Sequence, residues 1–169
     1  LPIFASQNEK LVEKMQLFEH ARTLVYCSDH EAIDTAAQAW VAAKPNRVLF
    51  SWSKEGRPAS LTINNIETLP DGFTRFQIHV PGADNHILEM PFSDSASLEN
   101  ALHCIAVLQL LGTPVEKTAQ RLRRLEPVEM RLQLKDAVRN STLINDAYNN
   151  DLASLLIALQ FAARQVRKR

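Results

Sequence analysis

The hydrophobic period changes sharply after Lys44, and this change constrains the fold more than any other feature. From Arg47 onward come four short apolar runs, "RVLFSWS", "ASLTINNIETL", "FTRFQIHV" and "HILEMPF", parted by "KEGRP", "PDG" and "PGADN". The parting segments carry turn chemistry, because Gly supplies positive φ while Pro, Asp and Asn favour bends. Runs of this length joined by such turns predict an antiparallel meander of three or four strands. On either side the period is helical. Gln7 to Arg22 places Leu11, Met15, Leu17 and Phe18 at roughly helical spacing, and Asp29 to Ala43 reads as a helix with Ser28 or Asp29 as its cap. Thr23 to Cys27, between them, is a β-rich apolar run. Ser95 to Leu111 is a long apolar helix ended by Gly112. "TPVEKTAQRLRRL" is a second helix, with Thr113 as cap and Pro114 at its first position. The fold class is α/β with an inserted antiparallel β-meander.

After this, "EPVEMRLQLK" leads into a strand, "STLINDA" is another strand, and the last helix begins near Asn150. A boundary is expected near Pro127 to Arg131, dividing residues 1–127 from 128–169. Two strands and one helix cannot cover a sheet on both faces, so the second unit reads as the start of a domain and the chain as a fragment.

With 169 residues, 46% of them hydrophobic, the chain can bury an ordinary core. Its 19 basic and 19 acidic side chains cancel, so no global field steers it to nucleic acid or to a membrane. The basic groups at Arg121, Arg123 and Arg124 and in the tail read as solvated helix faces. No apolar run reaches membrane-spanning length and no signal pattern opens the chain, which predicts a cytoplasmic protein. Cys27 and Cys104 form no metal-like pair and read as small buried hydrophobes. Trp40 and Trp52 read as core or interface aromatics, and His30, His79, His86 and His103 lack ligand spacing. Neither GxxxxGK[ST] nor GxGxxG occurs, and four glycines leave no room for a disguised one.

"TLINDAYNNDLASLLIAL", Thr142 to Leu159, is the densest polar cluster beside a strand. An acid, a phenol and three amides stand at the carboxyl end of a strand, just before a helix. In open α/β folds ligands bind there, near free helix N–H groups. An Asx-rich turn with Asn150 or Asp151 as helix cap explains the same residues without a ligand. Both readings stand on spacing alone.

"ASLENALHCIAVLQLLGTPVEKTAQRLRRLEPVEMRLQLK" followed by "TLINDAYNNDLASLLIAL" resembles the Mur ligases, ATP-dependent amide-bond ligases of peptidoglycan precursor synthesis. The order of an Asn-bearing alanine-rich helix, a Leu-Gly end, a second helix and a strand ending in a DxYxxN-like segment carries the likeness. Within the family it is greatest to the branch that adds D-alanyl-D-alanine to a UDP-muramoyl tripeptide. "EKMQLF", "LVYCSD" and "EMPFSDSASLENALHC" are similar to its form fused to alanine racemase. The resemblance implies the later part of a central ATPase-type domain and the first strand-helix unit of a Rossmann-like C-terminal domain. It implies ATP and Mg²⁺ as cofactors of the intact enzyme, with pyridoxal phosphate confined to a fused racemase domain. UDP-muramoyl peptide and D-alanyl-D-alanine would be the partners, with no nucleic acid and no membrane.

The resemblance also assigns residues. Asn100 matches the asparagine that hydrogen-bonds adenine, a task that suits an amide because it offers both a donor and an acceptor. Where the family often has His-Asn just upstream, this chain has Ala96 and Ser97, so part of that contact is changed. Arg131 matches the arginine at the domain junction that reaches the ATP phosphates, where a guanidinium neutralises charge on the transferred group. Asp146 matches the acid near the ribose, accompanied by Tyr148 and Asn149. Lys14, with Lys10 as a rival, matches the lysine whose carbamate would give Mg²⁺ an oxygen ligand. The implied reaction is phosphorylation of a carboxylate, then attack by an amine on the acyl phosphate. Without a phosphate-binding loop, the chain alone is expected to be inactive. A noncatalytic scaffold or docking module derived from such a ligase is the alternative, favoured by Ala96 and Ser97.

Overall fold

The structure, a computed structural model, describes residues 6–82, 84–126, 133–146 and 152–164. The first helix, α1 (Gln7–Gln16), is capped by Ser6, whose side chain accepts from the Glu9 N–H, and it stops short of the expected Arg22. Then come β1 (Thr23–Cys27), α2 (Glu31–Ala42), β2 (Val48–Ser53), β3 (Leu61–Thr68), β4 (Thr74–His79) and β5 (His86–Met90). They are followed by α3 (Ser95–Leu110), α4 (Val115–Leu122), β6 (Gln133–Ala137), β7 (Ser141–Asn145) and α5 (Leu152–Arg164).

A single five-stranded sheet holds β1 to β5 in sequence order. The meander is β3-β4-β5, paired antiparallel, and it continues a parallel β1-β2-β3 half instead of forming a separate sheet. "RVLFSWS" therefore belongs with the parallel strands. Parallel neighbours ordinarily need a crossover of a dozen or so residues. Here β2 and β3 share only the pairs Trp52–Leu61 and Ser53–Thr62, the end of one strand beside the start of the next. The loop between them has almost no distance to return along the sheet, so a short one is enough.

The sheet is covered unequally. Leu24 and Tyr26 of β1 pack with Ala37 and Trp40 of α2, supported by Met15 and Phe18 of the α1 region. On the opposite face Cys27, Trp52, Leu61, Ile63, Phe76, Ile78, Leu88 and Met90 meet Leu98, Leu102 and Ile105 of α3 and Leu122 of α4. Strand β4 alternates Thr74, Phe76 and Ile78 inward with Arg75, Gln77 and His79 outward, the period-two pattern of a sheet with one packed face. The molecule thus has helices on both faces at its parallel edge and on one face at its antiparallel edge.

Arg47 fastens the first layer. Its guanidinium lies 4.4 Å from the Trp40 ring centre and donates to the Trp40 carbonyl at 2.8 Å and the Glu19 carbonyl at 2.7 Å. Several caps differ from expectation. Helix α2 begins after His30, without a side-chain cap, because Asp29 is engaged elsewhere. Helix α4 follows Pro114 directly, and Thr113 is not its cap. Thr113 instead closes α3, its N–H donating to Leu108 O while Gly112 N–H donates to Gln109 O, both at 2.9 Å. This six-to-one and five-to-two pairing is a Schellman motif. Gly112 takes the positive φ that the motif requires, 70°.

Strands β6 and β7 form an antiparallel hairpin, and α5 follows. Leu134 and Leu143 of the hairpin are exposed, as are Leu152, Leu155, Leu156 and Leu159 of α5. The expected boundary at Pro127 to Arg131 lies outside the described residues. Among the described residues no helix is long and apolar enough to cross a membrane.

Candidate functional site

Strands β1 and β2 run parallel, so their carboxyl ends stand side by side, and each ends in polar residues. Ser28, Asp29 and His30 follow β1; Ser53 closes β2 and Lys54 follows it. The N-terminal turns of α3 lie over this edge. Asp94 caps α3 by accepting from the Ser97 N–H at 2.8 Å.

Asp29 organises the crevice. Ser53 Oγ donates to its Oδ1 at 2.5 Å and the Lys54 backbone N–H donates to its Oδ2 at 2.9 Å. Burial opposes the charge, but the hydrogen bonds from Ser53 and Lys54 outweigh it and hold the carboxyl below its ordinary range. Ser53 Oγ in turn accepts from the backbone N–H groups of Glu55 and Arg57, which folds the loop after β2 back on itself. Nearby, Cys27 Sγ lies 3.6 Å from Asp29 Oδ2. Burial first, with the neighbouring Asp29 charge adding to it, pushes the thiol up to about 11.

Glu99 of α3 bridges the two loops. His30 Nε2 lies 3.2 Å from Glu99 Oε1, and Lys54 Nζ donates to Oε2 at 3.4 Å. One helical turn further on, the buried Trp52 indole N–H donates to His103 Nδ1 at 3.1 Å, the two rings meeting edge to face. His103 is therefore a satisfied helix histidine, as expected. Cys104 is exposed on α3, contrary to expectation; the apolar character of α3 extends around to its solvent side, so apolar neighbours in sequence do not guarantee burial.

Beside Glu99 an open cavity of about 250 Å³ is lined by Ser95, Ala96, Glu99 and Asn100 of α3 and by Ile157 of α5. Asn100 thus stands on its wall, and Ala96 contributes no hydrogen-bonding side chain there. Asp146, just beyond β7, is half-buried and is not among the residues lining this cavity. Arg131, Tyr148 and Asn149 lie outside the described residues. Lys14 is exposed in the last turn of α1, which leads toward the amino end of β1 and away from the carboxyl-end crevice. The structure does not bring Lys14 to Asn100.

These residues offer an amide, a hydroxyl and a carboxylate around a small apolar surface. The amide of Asn100 on a partly apolar wall suits a base edge. No glycine-rich loop exists in the sequence to cradle phosphates. Among the described residues no group of three or more His, Cys, Asp or Glu side chains is placed to hold a metal. They do not make a magnesium site by themselves. Sequence reading missed the Asp29–Ser53–Lys54–Glu99–His30 cluster. Its signal was polar residues directly after two adjacent apolar runs, "CSDH" and "WSK", which becomes meaningful only once those runs are parallel.

No protein-family profile matches the chain. The fold is the mixed α/β arrangement of the Mur ligases and of folylpolyglutamate synthetase. MurF from Acinetobacter baumannii superposes with a TM-score of 0.80 at 20% identity, over 96% of this chain and 34% of that one. Folylpolyglutamate synthetase from Lactobacillus casei does so with a TM-score of 0.64 at 17% identity, over 94% and 40%. In sequence, the chain is similar to UDP-N-acetylmuramoyl-tripeptide–D-alanyl-D-alanine ligases. It is 25% identical to that of Escherichia coli (strain K12) over 124 residues, which is 73% of this chain and 27% of that protein. It is 28% identical to that of Buchnera aphidicola subsp. Baizongia pistaciae over 102 residues, 60% of this chain and 22% of that protein. The chain spans about a quarter of the length of these curated relatives.

Proposed function

We propose that this chain is part of an ATP-dependent ligase that adds D-alanyl-D-alanine to a UDP-muramoyl tripeptide. The observation that carries the reading is Asn100 on the wall of the cavity at the N-terminal turns of α3. It is supported by sequence relatives named for that reaction. Residues 1–127 would belong to the central ATP-binding domain and 128–169 to the start of the C-terminal one. Asn100 would hold the adenine edge. Arg131 would neutralise phosphoryl charge as the domains close, while Asp146, Tyr148 and Asn149 would meet the nucleotide from the other side. Lys14, if carbamylated, would be a magnesium ligand whose companions come from elsewhere in the protein.

In this reading a carboxylate oxygen takes the terminal phosphoryl group and ADP leaves. The dipeptide amine then attacks the acyl carbon, losing a proton, and phosphate leaves. The protein's share is alignment and charge neutralisation. The 169-residue chain by itself would not turn over, because it carries no phosphate loop. Fusion to an alanine racemase domain belongs to the same proposal, and racemase activity of the full-length protein tests it.

Ala96, an apolar residue in the cavity wall, favours a second reading in which the fold is kept as a noncatalytic scaffold. Calorimetric titration of the full-length protein with ATP and Mg²⁺ separates the two. Binding that weakens in both Asn100→Ala and Arg131→Ala supports the ligase. No binding by the unaltered protein overturns it in favour of the scaffold. Stoichiometric phosphate release by the isolated chain, given both substrates and ATP, would overturn the claim that it is inactive alone.

A further inference from the structure

We propose that His103 is a positioning residue for the nucleotide-base cavity, acting through Trp52 to set the rotation of α3 and so the aim of Asn100. The inference rests on the reading of that cavity given above. Apolar burial fixes which face of α3 turns inward but not the last degrees of its rotation. Leu98, Ala101, Leu102, Ile105 and Ala106 are buried, yet Val107 and Leu110 remain partly exposed on the same helix, so apolar surface continues around it. Hydrophobic contact is non-directional, so the packed face limits α3 to a small roll that directional bonds must resist.

Two links oppose the roll. Glu99 reaches His30 and Lys54, but all three side chains are partly exposed, so solvent and salt weaken the link. The Trp52–His103 link differs. Trp52 is fully buried, and its N–H has one direction to point, toward His103 Nδ1 at 3.1 Å. Leaving such a donor without an acceptor is costly, so the bond resists displacement more than its mean strength suggests. His103 must keep its Nδ1 lone pair for this. Asn100 is three residues before His103, and residues so spaced neighbour each other on a helix surface. A roll of about 20° would carry a side-chain tip about 2 Å, given the helix radius. A misplacement of that order is enough to lose a directional contact.

Asparagine places an oxygen acceptor the same number of bonds from Cα as Nδ1, whereas phenylalanine keeps the ring and removes the acceptor. The test compares ATP binding, with Mg²⁺ and by calorimetry, in full-length wild type, His103→Phe, His103→Asn and Asn100→Ala. The Trp52 indole N–H resonance is followed in parallel and assigned by its loss in Trp52→Phe. We expect His103→Phe to raise Kd about tenfold and move the Trp52 resonance, while His103→Asn restores both to near wild type. Unchanged Kd in His103→Phe despite a moved resonance would overturn the proposal. So would equal weakening by Phe and Asn, which marks a purely steric role. If Asn100→Ala binds like wild type, the reading of the cavity fails and this inference with it; if only His103→Phe does, the inference fails alone. Should His103→Phe not fold, His103→Ala serves, since His103 lies on the exposed side of α3.

Discussion

The carboxylate of Asp29 accepts the Ser53 hydroxyl at 2.5 Å, and this bond ties the loop after β1 to the end of β2. The Lys54 N–H completes the grip on the second oxygen. Two parallel strands are thereby locked at their carboxyl ends, beneath the helix that carries Asn100. Asp29→Asn keeps one acceptor but turns an amide NH₂ toward one of these donors. A loss of about 1–3 kcal/mol of stability at neutral pH is expected. The carboxyl is held below its ordinary value of 3.8 in the folded state. Its contribution is therefore present above that value and is lost as pH falls through the lower, folded one. Urea unfolding of wild type and variant should differ at neutral pH and converge in acid; a constant gap across pH would contradict the assignment.

The two thiols should behave oppositely. Cys27 is buried and its thiol is pushed up to about 11, whereas Cys104 is exposed. Since the thiolate is the reactive form, a disulfide reagent at neutral pH should label Cys104 promptly and Cys27 only on unfolding. Mass mapping of the labelled peptides reads the result, and equal labelling of both in the native protein would be inconsistent with this fold.

Tyr26 should resist ionisation. Burial and then its 2.7 Å hydrogen bond to Asp34 push it up from 10.0 to about 12. Because the folded value is the higher one, the stabilisation is complete below 10.0 and is lost as pH rises toward 12. The difference in phenolate absorbance between the protein and its Tyr26→Phe variant isolates Tyr26. Asp34→Asn should bring its titration down; no change would mean that burial alone sets it.

Gly112→Ala tests the end of α3. A Cβ there meets nothing within 4 Å, so crowding plays no part, but φ of +70° is strained for any L side chain. A cost of about 1 kcal/mol is expected. Thermal unfolding that shows no loss would mean that the Schellman turn rearranges freely.

Much of the fold was legible because local chemistry announces itself. Thr23–Cys27 is a strand with the bounds read from its β-rich run, and Gly112 closes α3 as its position required. The turn segments parted β2 to β5 correctly. The direction of β2 was not legible, because strand periodicity is the same whichever way a neighbour runs. Nor was the Asp94 cap of α3 foreseen; Asp94 was visible, but so were Ser93 and Ser95 beside it.

For the candidate site the division is sharper. The family resemblance, carried by residue types in their order, pointed to Asn100, and the glycine count showed that these 169 residues hold no phosphate loop. Those are one-dimensional properties, set by side-chain chemistry and glycine count. That Asn100 lines a cavity with Ile157, that Glu99 joins His30 to Lys54, and that the Trp52 donor finds His103 were decided only in three dimensions. Each of these relations spans tens of residues, and the Glu99 bridge depends on two parallel strands ending side by side. Parallel pairing comes from sheet packing and loop closure, which no local run of sequence encodes.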